Sequence, residues 1–132
     1  MAFKKNEDGS FKYSYRGINR IIEEKGQQFL RLSQIAWNVS DDEEVDSDKI
    51  KLDIRKFRTD ADGNEVMGKG VSFMTEEGPH ELVHVMLEEG FGDTERCIRI
   101  LKDRPNFKDA ANSAYGNHSD DNDETFDLRD LL

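Results

Sequence analysis

Residues 80–84 read HELVH and match the H-E-x-x-H pattern of zinc peptidases. On a helix, His80 and His84 lie one turn apart on the same face, where both can bind one zinc ion. Glu81 would then act as the general base on the metal-bound water. The chemistry that these residue types and this spacing indicate is metal-assisted peptide hydrolysis.

A catalytic zinc site needs three protein ligands, and HELVH supplies two of them. The only other histidine in the sequence is His118, which lies in a polar segment far along the chain. The sequence therefore favours a protein that is not an enzyme and holds no metal or cofactor, with the zinc peptidase as a third alternative. Three carboxylates are further candidates for the third ligand, and their spacing selects none of them: Glu88, Glu89 and Glu95.

The net charge of −10 is distributed unevenly over the 132 residues, a length typical of one domain. Residues 41–48, DDEEVDSD, hold six acidic side chains and no basic one. The flanking segments are basic, with net charges of +3 over residues 1–40 and +2 over residues 49–75. An acidic whole-protein charge therefore does not exclude a nucleic-acid partner.

The compartment and the membrane can be judged from apolar runs and cysteine usage. No run is long or apolar enough to span a membrane, and the N-terminal segment has no apolar core of a signal peptide. Cys97 is the single cysteine, which excludes an internal disulfide and fits a reducing compartment. We expect a cytoplasmic protein without a membrane partner.

Alternation of apolar and polar residues predicts four antiparallel strands over about residues 11–75. The pattern changes phase at Gly17, which predicts a β-bulge, and Asp62-Gly63 predicts a hairpin turn. The clearest strand is KIKLDIRKFR at residues 49–58, which has the period of a sheet with one solvated face. The acidic segment 41–48 is predicted to be a loop, because blocks of like charge repel each other.

Helices are predicted to follow the strands, over about residues 79–104. The longer one starts near Pro79 and ends at Gly90, and a shorter one is capped by Asp93 and stopped by Pro105. Residues 106–132 are rich in Asn, Asp and Ser and are predicted to be a flexible acidic tail. The predicted fold class is α+β: a curved four-stranded antiparallel sheet, a long helix, a short extra helix and the tail, with residues 1–105 as the folded domain.

One face of the predicted sheet combines basic and aromatic side chains. Basic groups can pair with phosphates, and exposed rings can stack on unpaired bases at about 1–3 kcal/mol per base. The alternative is an ordinary solvated sheet face whose rings are covered by the N-terminal segment. The residues on this face are Phe29, Arg31, Trp37, Lys49, Lys51 and Arg55.

An ordered set of motifs resembles the transcriptional coactivator positive cofactor four family, including its bacterial and phage relatives. The set is WN at residues 37–38, KLDIRKF at 51–57, an Asp-Gly turn, MGKGVSF at 67–73, and EE leading into a helix. The resemblance covers about residues 18–90. It implies a four-stranded antiparallel sheet followed by a long helix, a homodimer formed through that helix, and single-stranded DNA bound across the sheets.

The resemblance also implies roles for individual residues. Arg55 and Lys69 would contact phosphates, Trp37 would stack on a base, and Phe57 is a weaker stacking candidate. Arg58 stands where some relatives have an aromatic residue. The acidic segment, the extra helix and the tail depart from the family pattern. The predicted nucleic-acid-binding residues are therefore Arg31, Trp37, Lys49, Lys51, Arg55, Phe57, Arg58 and Lys69. The predicted dimer interface lies on the long helix and consists of Leu82, Val83, Met86 and Leu87.

The sequence therefore predicts a sequence-independent single-stranded-DNA-binding protein, with RNA as a further possible ligand. Its role would lie in transcription regulation or in DNA replication and recombination. The acidic tail, which ends in apolar residues, could dock a protein partner or compete with DNA for the basic face. The alternative function is a protein-interaction module of the same fold that has lost DNA binding, as the net charge suggests.

Overall fold

The computed structural model describes residues 12–115, which form a four-stranded antiparallel sheet followed by three helices. This arrangement confirms the predicted α+β class. Residues 1–11 and most of the predicted tail, residues 116–132, lie outside the described residues. The strands, in sheet order, are β1 (Tyr13–Lys25), β2 (Gln28–Trp37), β3 (Lys51–Thr59) and β4 (Glu65–Ser72). The helices are α1 (Glu77–Glu88), α2 (Thr94–Lys102) and α3 (Phe107–Tyr115).

The chain divides into two compact units between Leu82 and Val83. The first unit, here called the sheet unit, contains the four strands and the first half of α1. The second, here called the helical unit, contains the second half of α1 with α2 and α3. The predicted nucleic-acid-binding residues all belong to the sheet unit.

Strand β1 contains the predicted bulge at Gly17. Its register against β2 shifts between Tyr15 and Asn19, and Gly17 has a φ of 142°, which is unfavourable for residues with a side chain. The backbone N–H of Ile18 donates to Oε1 of Gln34 at 2.8 Å, and a Cβ atom at Gly17 would collide with that amide. The bulge is confirmed, and a second register shift follows between Ile21 and Glu23.

The connection between β3 and β4 is the predicted hairpin turn. Asp60 Oδ1 accepts hydrogen bonds from the backbone N–H groups of Asp62 and Asn64, both at 2.9 Å. Gly63 has a φ of 84°, the left-handed conformation that glycine adopts without steric cost. The side chain of Asp60 therefore organises the turn that the Asp-Gly pair predicted.

The two faces of the sheet differ in burial, and the prediction of which face is solvated was wrong. The face expected to be solvated contains Arg31 and Phe57, which are 7% and 2% exposed, and Ile35, which is fully buried. Its rings pack on one another and on guanidinium groups, so the side chains shield each other from water. We call this face the aromatic face. It carries Tyr13, Tyr15, Phe29, Arg31, Ile35, Trp37, Lys51, Asp53, Arg55 and Phe57.

The opposite face, which we call the aliphatic face, carries a cross-strand row of Leu32, Ile54 and Val71. Leu32 and Ile54 are half-buried, whereas Val71 is 59% exposed. The sequence predicted that the long helix would cover this face. Helix α1 buries none of its own residues in the single chain.

Two further boundaries differ from the predicted ones. Lys49 lies in a 3₁₀ turn, Ser47–Lys49, and β3 begins only at Lys51, so Lys49 is not a residue of the sheet face. Residues 107–115, predicted to be part of the flexible tail, form α3. Alanines within FKDAANSAY favour helix strongly enough to offset the asparagine and serine that composition alone counted against it.

Candidate nucleic-acid interface

Arg31 lies at the centre of the aromatic face. Its guanidinium carbon lies 5.3, 5.1 and 4.7 Å from the ring centroids of Tyr15, Phe29 and Phe57. Its Nη1 and Nη2 atoms donate to the two carboxylate oxygens of Glu65 at 3.0 and 3.1 Å. With 7% exposure and a bidentate carboxylate partner, Arg31 is a buried structural cation, and its predicted role as a phosphate contact is not supported by this placement.

The charge of Arg31 is stabilised despite its burial. Burial acts to lower the pKa of Arg31, but the hydrogen bonds with Glu65 and Tyr15 and their charges outweigh it, and the pKa is raised. Within the described residues, the Nε atom of Arg31 is buried and has no hydrogen-bond partner. One carboxylate and three aromatic rings therefore stabilise the charged guanidinium of Arg31.

Tyr15 belongs to the same cluster, since its hydroxyl oxygen accepts a hydrogen bond from Nη1 of Arg31 at 2.8 Å. Burial, followed by the proximity of Tyr13, raises the pKa of Tyr15 to about 12. An unfolded chain ionises its tyrosines near pH 10.

Because the folded-state pKa of Tyr15 is raised, its stabilising contribution is present below about pH 10 and is lost as the pH rises to about 12. A titration of phenolate absorbance should show one tyrosine ionising at about pH 12, and Tyr15→Phe should remove that step. Tyr15→Phe should also flatten the alkaline loss of stability. A late step that persists in Tyr15→Phe would contradict the assignment.

Phe57 is part of the core, not a surface ring. It stacks on Phe29 with the ring centroids 5.5 Å apart and the planes 9° from parallel, and it is 2% exposed. Its predicted role as a base-stacking residue is therefore wrong for the folded chain, because no face of the ring is open to a ligand.

Trp37 and Arg55 belong to a ring of four interacting residues. The guanidinium of Arg55 lies 5.1 Å from the Trp37 ring centroid, and it donates from Nε and Nη2 to the Asp53 carboxylate at 3.1 and 2.9 Å. The Ser72 hydroxyl donates to Oδ1 of Asp53 at 2.7 Å, and Nε1 of Trp37 donates to the Ser72 hydroxyl at 3.3 Å. The DIR strand and the GKG strand are thus joined through side chains.

The glycines beside Lys69 have a steric role. A Cβ atom at Gly70 would lie 2.6 Å from both Cα and Cβ of Arg55, so only glycine fits there. The carbonyl of Gly68 accepts from Nη1 of Arg55 at 3.1 Å. The G-K-G motif therefore lets β4 approach Arg55 closely, and the register of β3 against β4 shifts at this point.

The other predicted cations are placed differently from one another. Lys69 and Arg58 are exposed, and Lys51 is half-buried on β3, opposite Ile35. Lys49 is exposed in the 3₁₀ turn. On the aromatic face, Trp37 and Arg55 are in contact, and Lys51 lies on the same side of β3 as Arg55. Arg58 is exposed on β3, Lys69 on β4 and Lys49 in the 3₁₀ turn.

The acidic segment 41–48 is attached to β1. Nη2 of Arg16 donates to the backbone carbonyls of Ser40 and Glu43 at 2.8 and 2.6 Å, and Lys12 forms an ion pair with Glu43 at 3.5 Å. The hydrogen bond from the backbone N–H of Ser40 lowers the pKa of Glu43. The predicted loop is thus held in place by two basic residues of β1 and its N-terminal flank.

HELVH lies on α1, with His80 and His84 both exposed. Between residues 12 and 115, no group of three or more His, Cys, Asp or Glu side chains is arranged to hold a metal ion. His80 lines a cavity of about 660 Å³ between the aliphatic face and the start of α1, but Glu81 and His84 are not among its lining residues. His118, the remaining histidine, lies outside the described residues.

The sequence analysis does not identify Asp53 and Glu65, the carboxylate partners of the two arginines, or Ser72, which donates to Asp53. Asp53 could have been found from its spacing, because residues i and i+2 of a strand point to the same face and Asp53 precedes Arg55 by two. Glu65 lies on β4, two strands away from Arg31, and no local pattern indicates that pairing.

Across residues 12–115, no helix has both the length and the apolar character that crossing a membrane requires. Comparison with known proteins gives no match: neither a protein-family model, nor a curated protein, nor a solved structure is significantly similar to this chain.

Proposed function

We propose that this chain is a sequence-independent single-stranded-DNA-binding protein that acts in transcription regulation or in DNA replication and recombination. The observation that carries the proposal is the aromatic face, where partly exposed rings and cations lie side by side on one sheet. Tyr13, Trp37, Lys51 and Arg55 are all half-buried there, so each retains surface for a ligand. A single strand offers the ring faces of its unpaired bases and the phosphates of its backbone to such a surface.

The order of elements also supports the proposal. Four antiparallel strands in sheet order, followed directly by a helix, are what the resemblance to the positive cofactor four family implies. The DIR and GKG motifs lie on adjacent strands and meet through Arg55.

The proposal is tested by titrating the full chain with oligo-dT at several salt concentrations. Trp37 is the only tryptophan, so its fluorescence reports on the proposed site without a label. We expect binding to change this fluorescence, and the logarithm of the affinity to fall with the logarithm of salt by about 0.7 per phosphate contact. A duplex of matched length, whose bases are already stacked, should bind more weakly. Absence of oligo-dT binding at low salt would refute the proposal.

We further propose that the protein is a homodimer that associates through α1. In the single chain, Leu82, Val83, Met86 and Leu87 are between 37% and 54% exposed. Apolar side chains grouped in this way on one helix are typical of a protein contact surface.

Light scattering at micromolar concentration should give the mass of two chains. Val83→Asp combined with Met86→Asp should give the mass of one, because two desolvated carboxylates per chain oppose burial of the helix. The matched control is Glu81→Asp combined with Glu88→Asp, which keeps the charge of the same helix. A monomeric unsubstituted chain would rule out the dimer.

The acidic tail is proposed to weaken DNA binding by repelling phosphates or by covering the basic residues. Residues 120–132 contain six acidic side chains and one basic side chain. Their removal should raise the affinity for oligo-dT, with the largest gain at low salt, where screening is weakest. Replacing the six acids with amides should have the same effect while keeping the length and the apolar end. An unchanged affinity at low salt in both variants would exclude this role.

A second candidate function is a protein-interaction module of the same fold. It is favoured by the pairing of Arg31 with Glu65 and of Arg55 with Asp53, which leaves two arginines of the aromatic face without net charge to offer. The same oligo-dT titration separates the two functions, because an interaction module would show no salt-dependent binding.

A further inference from the structure

The guanidinium of Arg55 covers the ring of Trp37. Its carbon lies 5.1 Å from the Trp37 ring centroid, so the indole face beneath it is occupied. The Arg55 side chain is itself 15% exposed, so it keeps contact with solvent at this place on the sheet.

The plane of this guanidinium is fixed from two other directions. Asp53 accepts from Nε and Nη2, and the carbonyl of Gly68 accepts from Nη1. Asp53 is 1% exposed and is held by the Ser72 hydroxyl, so it cannot move aside. Arg55 is therefore a preorganised planar group and not a mobile cation.

The same pairing removes the net charge. The buried carboxylate of Asp53, 2.9 Å from Nη2, neutralises Arg55 locally. A phosphate could interact with the full charge of Arg55 only by displacing that carboxylate. Binding next to a neutral ion pair neutralises no phosphate, and so it adds little to counterion release. A planar guanidinium, by contrast, stacks on a base whether or not its charge is paired.

We propose that an unpaired base stacks on the guanidinium plane of Arg55, with Trp37 supporting that plane from beneath and with Asp53 and Ser72 as positioning residues. The inference rests on the proposed single-stranded-DNA binding and reverses two roles that the resemblance implies. Arg55 becomes the stacking surface and not a phosphate contact, and Trp37 becomes its support.

The test compares Arg55→Lys with the double variant Arg55→Gln/Asp53→Asn, which removes both charges of the ion pair, in oligo-dT titrations of the full chain over a range of salt concentrations. Arg55→Lys keeps the charge beside Asp53 and loses the plane. We expect both variants to lose about 5- to 150-fold in affinity, the range for one stacked base, with an unchanged salt slope. Lys69→Gln, which removes an exposed cation from β4, calibrates the measurement with an expected slope change of about 0.7.

The salt slope of oligo-dT binding by Asp53→Asn distinguishes a positioning role of Asp53 from a purely structural one. This substitution keeps the size of the side chain and releases the charge of Arg55, so the salt slope should become steeper by about 0.7. Circular dichroism confirms that each variant is folded before it is titrated.

Three results would overturn the inference. They are an Arg55→Lys variant with near-normal affinity, a slope that falls by about 0.7 in Arg55→Gln/Asp53→Asn, and an unchanged slope in folded Asp53→Asn. If the unsubstituted chain binds oligo-dT, each of these results leaves the proposed function intact and removes only the stacking role of Arg55. If the unsubstituted chain does not bind, both proposals fail.

Discussion

Asp53→Ala is expected to lower the free energy of unfolding by about 3–5 kcal/mol, the cost of removing one member of a buried ion pair. Asp53 is 1% exposed, and its carboxylate accepts hydrogen bonds from Arg55 and Ser72. Alanine would leave the guanidinium of Arg55, 15% exposed, without its carboxylate. It would also leave the Ser72 hydroxyl without its acceptor. Urea denaturation followed by circular dichroism measures the loss.

The matched control is Asp62→Ala, which removes an exposed carboxylate from the β3–β4 turn. Its effect should stay within about 0.5 kcal/mol, as for ordinary surface substitutions. Equal stabilities of Asp53→Ala and Asp62→Ala would show that the four-residue ring around Arg55 does not stabilise the fold.

Phe57→Ala should also lower the free energy of unfolding by about 3–5 kcal/mol, since it empties a buried aromatic position. The ring is 2% exposed, stacks on Phe29, and lies 4.7 Å from the guanidinium carbon of Arg31. Its loss therefore removes packing around two neighbours at once. Thermal and urea unfolding of the purified variant measure the decrease in the free energy of unfolding.

Phe91→Ala is the control for Phe57, because the Phe91 side chain is 61% exposed and should contribute little to stability. Phe57→Leu, which refills most of the volume, should recover part of the loss. If Phe57→Ala keeps full stability and instead weakens oligo-dT binding, the ring is a ligand contact and not a core side chain.

The strands could be predicted because their signals are local. Alternation at period two, a phase change at Gly17 and the Asp62-Gly63 pair each depend on a few neighbouring residues, and each feature is present in the structure. Helix α3 is not predicted, because the polar composition of the whole segment 106–132 hides the nine residues that favour a helix.

The candidate site was predicted less well, because its character depends on contacts between strands. Arg31 was placed on the correct face, but alternation treats a charged residue as solvated unless a partner is visible nearby. Its partner Glu65 is 34 residues away in sequence. The aromatic rings present the same difficulty, since the stacking of Phe29 on Phe57, which leaves Phe29 half-buried and Phe57 buried, arises only when their two strands pair.

The register shifts of the sheet have a consequence for aggregation. Edge strands with unpaired backbone groups can recruit strands from other molecules, and β1 exposes apolar residues such as Ile18, Ile21 and Ile22 along one margin. Two register shifts interrupt β1, and another interrupts β4 at the opposite margin. Such irregularities bend and twist a margin away from the flat geometry that a growing fibril needs. The two margins of this sheet should therefore disfavour edge-to-edge pairing between copies of the chain.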